Sequence, residues 1–379
     1  MSVSLEKYDV TTTDGWDPNF SKTLHGRKVI LSGAKEITRD NVIDELQKAM
    51  GVHSLNRREI IFLQKYERGI MPILGRQKIY QQEITNRIVV NIANEILTFK
   101  SAQFAGEPIQ YISRRGNKSV EDENREIPAK VAKLNDMMIS EGKRGLDLEL
   151  AHKMFTCGTA YRIVYHDDAK SDELMDEAPF EIAIPDVENT FVVYRNDVRK
   201  TPLMGVTYVY KDPPHNDLEF TVYTPNVTYT IAGMPLLTGD AGLHITDEVR
   251  HNFGRVSLIE YPCNPDRIGA FEVVIDLLDA ICLTLSNQMD GLEQFIQALM
   301  VFDGVDIDRE SLLSLKDLGA IKLPPSTSGN SGKKLYYLNE QLDQTQTNSL
   351  VESMKQMILE IVGMPGQGNA STGDSSNND

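Results

Sequence analysis

Phe271-Glu-Val-Val-Ile-Asp-Leu-Leu-Asp-Ala-Ile-Cys-Leu-Thr-Leu-Ser-Asn-Gln-Met289 is the stretch on which the reading turns. Phe271, Val274, Ile275, Leu278, Ile281, Leu285 and Met289 recur at three- and four-residue spacing. They make one apolar stripe on a long helix, and the pattern spans 270–302. Opposite the stripe lie Glu272, Asp276 and Asp279, with Asp290 and Glu293 beyond. No Lys or Arg falls between Arg267 and Asp290, so the acidic face has no pairing partner on its own helix. It faces water or a partner.

Working outward, the segment 303–341 reads as a small mixed unit. It has a short helix at 309–316, a strand at 320–323, a Gly/Ser turn at 327–332 and a strand at 335–338. A second long helix follows at 345–362, with Leu350, Val351, Met354, Ile358 and Ile361 on one face. Gly363 is placed to cap it and Pro365 to stop it. The tail 366–379 is dominated by Gly, Ser, Asn and Asp, a composition that cannot bury enough apolar area to order itself.

Upstream, 1–35 is a polar arm carrying Trp16. A short helix is expected at 38–51, capped by Asp40, with Val42, Leu46 and Met50 on one face. A basic helical stretch at 54–71 carries Arg57, Arg58, Lys65 and Arg68, and Lys78 and Arg87 follow. It reads as a solvated face partnered by Glu59 and Glu67, with phosphate contact as the alternative. Ile84, Ile88, Ile92 and Ile96 suggest a helix over 83–104, and 128–156 a helical pair broken at Gly142 and Gly145. The middle is β-rich, with strands expected at 159–165, 181–184, 190–194, 205–210, 219–223, 228–231 and 256–261. The segment 167–177 is an acidic exposed loop. The class is α+β.

The chain of 379 residues and 42.6 kDa allows two or three units. Its net charge of −16 and pI of about 5.0 exclude non-specific nucleic-acid binding by the whole surface. Cys157, Cys263 and Cys282 are too scattered for a disulfide framework or zinc knuckle, and fit a reducing compartment. The N-terminus has no apolar signal region, and no apolar run reaches the ~18 residues of a membrane span. A soluble, intracellular protein is expected. Gly329-Asn-Ser-Gly332-Lys333-Lys334 falls short of a phosphate loop in spacing, and Lys334 stands where the magnesium-holding hydroxyl belongs. None of the seven histidines pairs with another ligand at metal spacing, and His244 and His251 read as surface-loop residues. Glu272, Asp276 and Asp279 have i, i+4, i+7 spacing that suits magnesium. A hydrolytic site, however, draws ligands from several elements and adds a base or cationic clamp. No catalytic residue, cofactor or metal is expected.

Several stretches carry a family resemblance. They are Asn86-Arg-Ile-Val-Val-Asn-Ile-Ala-Asn-Glu-Ile-Leu-Thr-Phe-Lys100 running into Phe104-Ala-Gly-Glu-Pro-Ile-Gln-Tyr111, then Gly158-Thr-Ala-Tyr161, then Phe191-Val-Val-Tyr-Arg-Asn-Asp197 with Pro202-Leu-Met-Gly205. The most specific is Tyr261-Pro-Cys-Asn-Pro-Asp-Arg-Ile-Gly-Ala-Phe-Glu272, continuing through Asp276, Asp279, Ser286-Asn287 and Glu293-Gln-Phe295. Their order over about 60–365 resembles the portal proteins of long-tailed bacteriophages of Gram-positive bacteria. The resemblance implies a portal fold: an arm (1–35), an α/β wing (36–265), a stem helix (266–292), a small α/β clip (293–341), a returning stem helix (342–363) and the start of a tunnel loop (364–379). The family's crown would be absent.

By the same resemblance the protein would be a non-enzymatic subunit of a dodecameric ring in the virion, at one capsid vertex, assembled in the host cytoplasm. Double-stranded DNA would pass through its channel. The large terminase, a head–tail adaptor, and the major capsid and scaffolding proteins would be its partners, with no membrane. Glu272, Asp276 and Asp279 would line the channel. Phe271, Ile275, Leu278, Leu285, Met354 and Ile358 would pack the stem, with Leu278 in the subunit interface. Gly363, Gly366, Gln367, Gly368, Asn369 and Ser371 would face DNA. Asp308, Lys316, Lys322, Lys333 and Lys334 would face adaptor or terminase. The alternatives are a head-completion or scaffold-binding structural protein, and an acidic metal-dependent nucleic-acid-processing enzyme.

Overall fold

In a computed structural model, the described residues are 26–78, 83–112, 129–166, 178–212, 215–234, 242–296, 300–303, 334–337 and 344–365. The chain opens with a short strand, β1 (Ile30–Ser32), and a long helix, α1 (Val42–Glu67). Then come α2 (Ile92–Ala105), α3 (Ala129–Ser140) and α4 (Lys143–Cys157). Eight strands follow: β2 (Thr159–His166), β3 (Phe180–Ala183), β4 (Thr190–Arg195), β5 (Pro202–Asp212), β6 (His215–Tyr223), β7 (Val227–Gly233), β8 (His244–Arg250) and β9 (Leu258–Pro262). The chain then enters α5 (Ile275–Ile296), an antiparallel pair of β10 (Met300–Asp303) and β11 (Lys334–Tyr337), and α6 (Gln344–Val362).

A six-stranded sheet has the order β1-β4-β5-β6-β7-β8. Only β1 is parallel to its neighbour; β4 to β8 form an antiparallel meander. A three-stranded antiparallel sheet has the order β3-β2-β9. Helix α1 ties the interior together because its buried residues change partners along its length. Val42, Leu46 and Ala49 pack on the six-stranded sheet. Ile60 joins the core between the sheets, with Ile163, Val192 and Leu258. Phe62, Leu63 and Tyr66 enter a third cluster built on α2, α5 and α6.

The helix α1 replaces the two helices expected at 38–51 and 54–71. Gly51 continues it because nothing crowds that position, and helical glycine costs only about 1 kcal/mol against this much burial. Asn41, not Asp40, stands at its N-cap, and Asn41 Oδ1 accepts from the Thr38 amide at 2.8 Å. The helix expected at 83–104 begins only at Ile92, where Asn91 accepts from the Asn94 amide at 3.2 Å. The pair at 128–156 is present, broken at Gly142, while Gly145 lies inside α4. The seven expected strands are all present, shifted by a few residues. Three more are unexpected: β1 inside the arm, β8, which begins at His244 where a loop was expected, and β10. The helical pattern at 270–302 ends at Ile296, and 300–303 pairs as β10. The expected elements at 309–316, 320–323 and 327–332, the acidic loop 167–177 and Trp16 lie outside the described residues.

Candidate functional site

The informative region is the pair α5 and α6 and what holds it to the body. The stripe of α5 is covered within the chain. Phe271, Ile275, Leu278 and Ile281 are almost wholly buried, against Val351, Met354 and Ile358 of α6, Tyr66 of α1 and Ile96 and Leu97 of α2. The Tyr66 and Phe271 rings stack with centroids 5.6 Å apart. Leu285 is partly buried in the same cluster. The expectation that Leu278 sits in a subunit interface is therefore corrected: at 1% exposure it is a core residue of its own subunit. The cover ends short of the expected faces: Met289 of the α5 stripe and Leu350 and Ile361 of the α6 face are exposed, as are Val273, Leu283 and Met357 beside them.

The acidic face does not stay together either. Arg27 Nη2 donates to Glu272 at 2.7 Å, Arg27 Nε pairs with Glu59 at 2.9 Å, and Glu272 also accepts from the Gly269 amide at 2.8 Å. Burial pushes the Glu59 carboxyl up, partly offset by Arg27. Asp279 accepts from the Tyr66 hydroxyl at 2.8 Å. Burial, with the Asp276 charge adding to it, raises the Asp279 carboxyl to about 6, against the pull of the Tyr66 hydrogen bond. Asp276 alone is exposed. The acidic face, which has no pairing partner on its own helix, thus finds partners for Glu272 and Asp279 in two residues remote in sequence, Arg27 and Tyr66. Neither announced itself: Arg27 sat in a polar arm, and Tyr66 in a basic helix. Among the described residues, no group of three or more His, Cys, Asp and Glu side chains is arranged to hold a metal ion.

The expected basic-face partners resolve similarly. Glu67 binds His152 Nε2 at 2.5 Å, which raises the imidazole pKa. Lys78 pairs with Asp290 at 2.6 Å, and Arg76 with the same carboxylate at 3.0 Å. Burial opposes ionisation of Asp290, but Lys78, Asn86 and Arg76 hold its pKa below the ordinary value.

Helix α6 ends as its sequence suggested. Gly363 adopts φ +66°, and the Met364 amide donates back to Leu359 O at 2.8 Å while Gly363 N–H donates to Glu360 O at 3.2 Å, a Schellman cap. Lys334 opens β11, opposite Asp303. Gly366, Gln367, Gly368, Asn369, Ser371, Asp308, Lys316, Lys322 and Lys333 lie outside the described residues.

Comparison with known proteins decides the family. Residues 48–378 match the family described as phage portal protein, SPP1 Gp6-like. The chain belongs to the phage portal protein family. A curated relative, the portal protein of Clostridium phage phiCD119, is 21% identical over 337 residues, spanning 84% of this chain and 71% of the relative. A solved structure, from the virion of a native gene transfer agent particle, aligns with 81% of this chain and 71% of its own at 10% identity, with a TM-score of 0.42. As a portal protein the chain is a bacteriophage virion component that serves DNA packaging, in a structural, non-enzymatic class. No helix of the described residues is long and apolar enough to cross a membrane.

Proposed function

We propose that the subunit closes into a ring, with twelve copies the expected number, whose channel passes double-stranded DNA into and out of the capsid. The observation that carries this reading is the portal-family match over 48–378, which takes in α5, β10, β11 and α6. The two helices would be the stem, the β10–β11 pair part of the clip, and the segment after Gly363 the start of a loop toward DNA.

With Glu272 and Asp279 held inside the subunit, Asp276 is the exposed carboxylate left among the three to face the channel. A carboxylate there offers DNA phosphates no counterion-releasing contact, which suits sliding rather than gripping. Leu350, Met357 and Ile361, with Val273, Leu283 and Met289, would meet the neighbouring subunits. Such exposed apolar rows mark interaction surfaces. The clip would dock the large terminase during packaging and the head–tail adaptor afterwards, and the wing would meet capsid and scaffolding proteins.

Replacing Leu350 and Ile361 together with Asp tests the assignment. The circular dichroism of the subunit should be unchanged, and its mass by light scattering should fall from that of the ring to that of small species. Unchanged assembly would remove these faces from the interface.

A further inference from the structure

Residues 84–91 run extended along α5, antiparallel to it, and their backbone amides donate to side chains of the helix. The Asn86 amide donates to Asp290 Oδ1 at 2.7 Å, the Ile88 amide to Ser286 Oγ at 2.9 Å, and the Val90 amide to Cys282 Sγ at 3.4 Å. The match is geometric. Two residues of extended chain advance about 6.6 Å and four residues of helix about 6.0 Å, so every second amide meets every fourth helix residue.

This face of α5 changes character along its length. Up to Cys282 its buried residues are apolar: Ile275, Leu278 and Ile281, with Val274 in the turn just before the helix. Beyond Cys282 they are, among the described side chains, Ser286 at 0% and Asp290 at 2% exposure, while Leu283 and Met289 point outward at 45% and 43%. The first half of α5 is thus held by apolar burial, and its start by the Arg27 ion pair. In the second half Leu285, with Val89 and Val90 of the segment, still touches the edge of the apolar cluster, but the wholly buried groups that face the segment are polar, and their partners are the segment's own amides and the Arg76 and Lys78 side chains. Hydrogen bonds exchange with water at small net cost, whereas apolar burial does not. Ser286 also donates back to Cys282 O at 2.7 Å, a bond that favours bending of a helix at that point.

We propose that residues 84–91 form a releasable strap. Its detachment frees the second half of α5 to move while the first half stays fixed to the wing. Ser286 and Asp290 are its fasteners, and release would let the helix bend near the Ser286 back-bond. The proposal rests on the subunit's own contacts, so its failure would leave the portal reading standing.

Hydrogen exchange read by mass spectrometry on the assembled full-length protein tests it. A peptide covering 84–91 should exchange faster than one covering 275–282, at a rate insensitive to low denaturant, the mark of a local opening. Ser286→Ala should speed exchange of 84–91 by roughly fivefold, the loss of about one hydrogen bond. Exchange over 286–296 should rise with it, and 60–67 should not change. Ser286→Thr, which keeps the hydroxyl, should restore the parental rate. Asp290→Asn gives an independent variant and should act in the same direction. The proposal is overturned if 84–91 is protected as strongly as 275–282, or if both accelerate together on Ser286→Ala. It is equally overturned if the substitution leaves 84–91 unchanged.

Discussion

Arg27 Nη2 and Glu272 meet at 2.7 Å across 245 positions of sequence, with both side chains almost fully buried. The same guanidinium reaches Glu59 of α1 and the carbonyl of Cys157 at the end of α4. One residue of the arm therefore joins α1, α4 and the start of α5. Removing one member of a buried ion pair leaves the other charge uncompensated, at about 3–5 kcal/mol. Arg27→Met should lower the urea midpoint accordingly. Arg27→Met combined with Glu272→Leu should recover part of the loss, because the more deeply buried carboxylate is no longer orphaned and only Glu59 is left without its Arg27 partner. A single substitution within 0.5 kcal/mol of the parent would mean the pair is not holding the junction.

Leu278→Ala should cost about 2–5 kcal/mol of subunit stability, the range for an aliphatic core side chain cut to alanine. Loss of ring assembly in that variant should follow unfolding rather than precede it. Thermal melts and sizing on one sample separate the order of events.

Asp279 gives a pH dependence with a definite sign. Its folded pKa of about 6 lies above the ordinary 3.8. Folding thus favours the protonated carboxyl; this contribution is full below 3.8 and is lost as the pH rises through 6. Asp279→Asn should stabilise the protein above pH 7 by at most about 3 kcal/mol, since one pKa unit is about 1.4 kcal/mol. The gain should vanish near pH 4. His53, buried with its pKa lowered to about 3, imposes the opposite trend as the pH falls below 6.5, but cancels in the comparison of variant with parent. A variant equally stable at pH 4 and pH 8 relative to the parent would contradict this assignment.

Gly158 closes α4 at φ +78°, and a Cβ there would lie 2.0 Å from the Arg267 carbonyl oxygen. Gly158→Ala combines left-handed strain with a backbone collision and should cost about 3 kcal/mol or more. Gly363→Ala meets only ordinary contact with Lys100 Nζ at 3.8 Å, so its cost should be the backbone term alone, about 1 kcal/mol. Chemical denaturation of the two variants should rank them in that order.

The periodic parts of the chain were legible. The stripe Phe271 to Leu285 and the face of α6 are local patterns, and Gly363 with Pro365 is a local stop signal. What stayed hidden depends on distant partners. Ile84 and Ile88 fit a helical spacing, but the acceptors Cys282, Ser286 and Asp290 draw their segment out as extended chain, an override no local pattern records. Strand β1 is three residues long and is defined by its parallel neighbour β4. For Glu272 and Asp279 the helix itself shows only that it offers no pairing cation, not which partners they meet. Arg27 and Tyr66 come from elements more than 200 residues earlier.

The central claim is that this subunit builds a portal ring. Axial-view electron microscopy of the purified full-length protein, with mass from light scattering on the same sample, tests it most directly. Closed rings with a central channel, and a mass many times 42.6 kDa, are the predicted result. A species that stays monomeric or dimeric at every concentration and salt condition would contradict it.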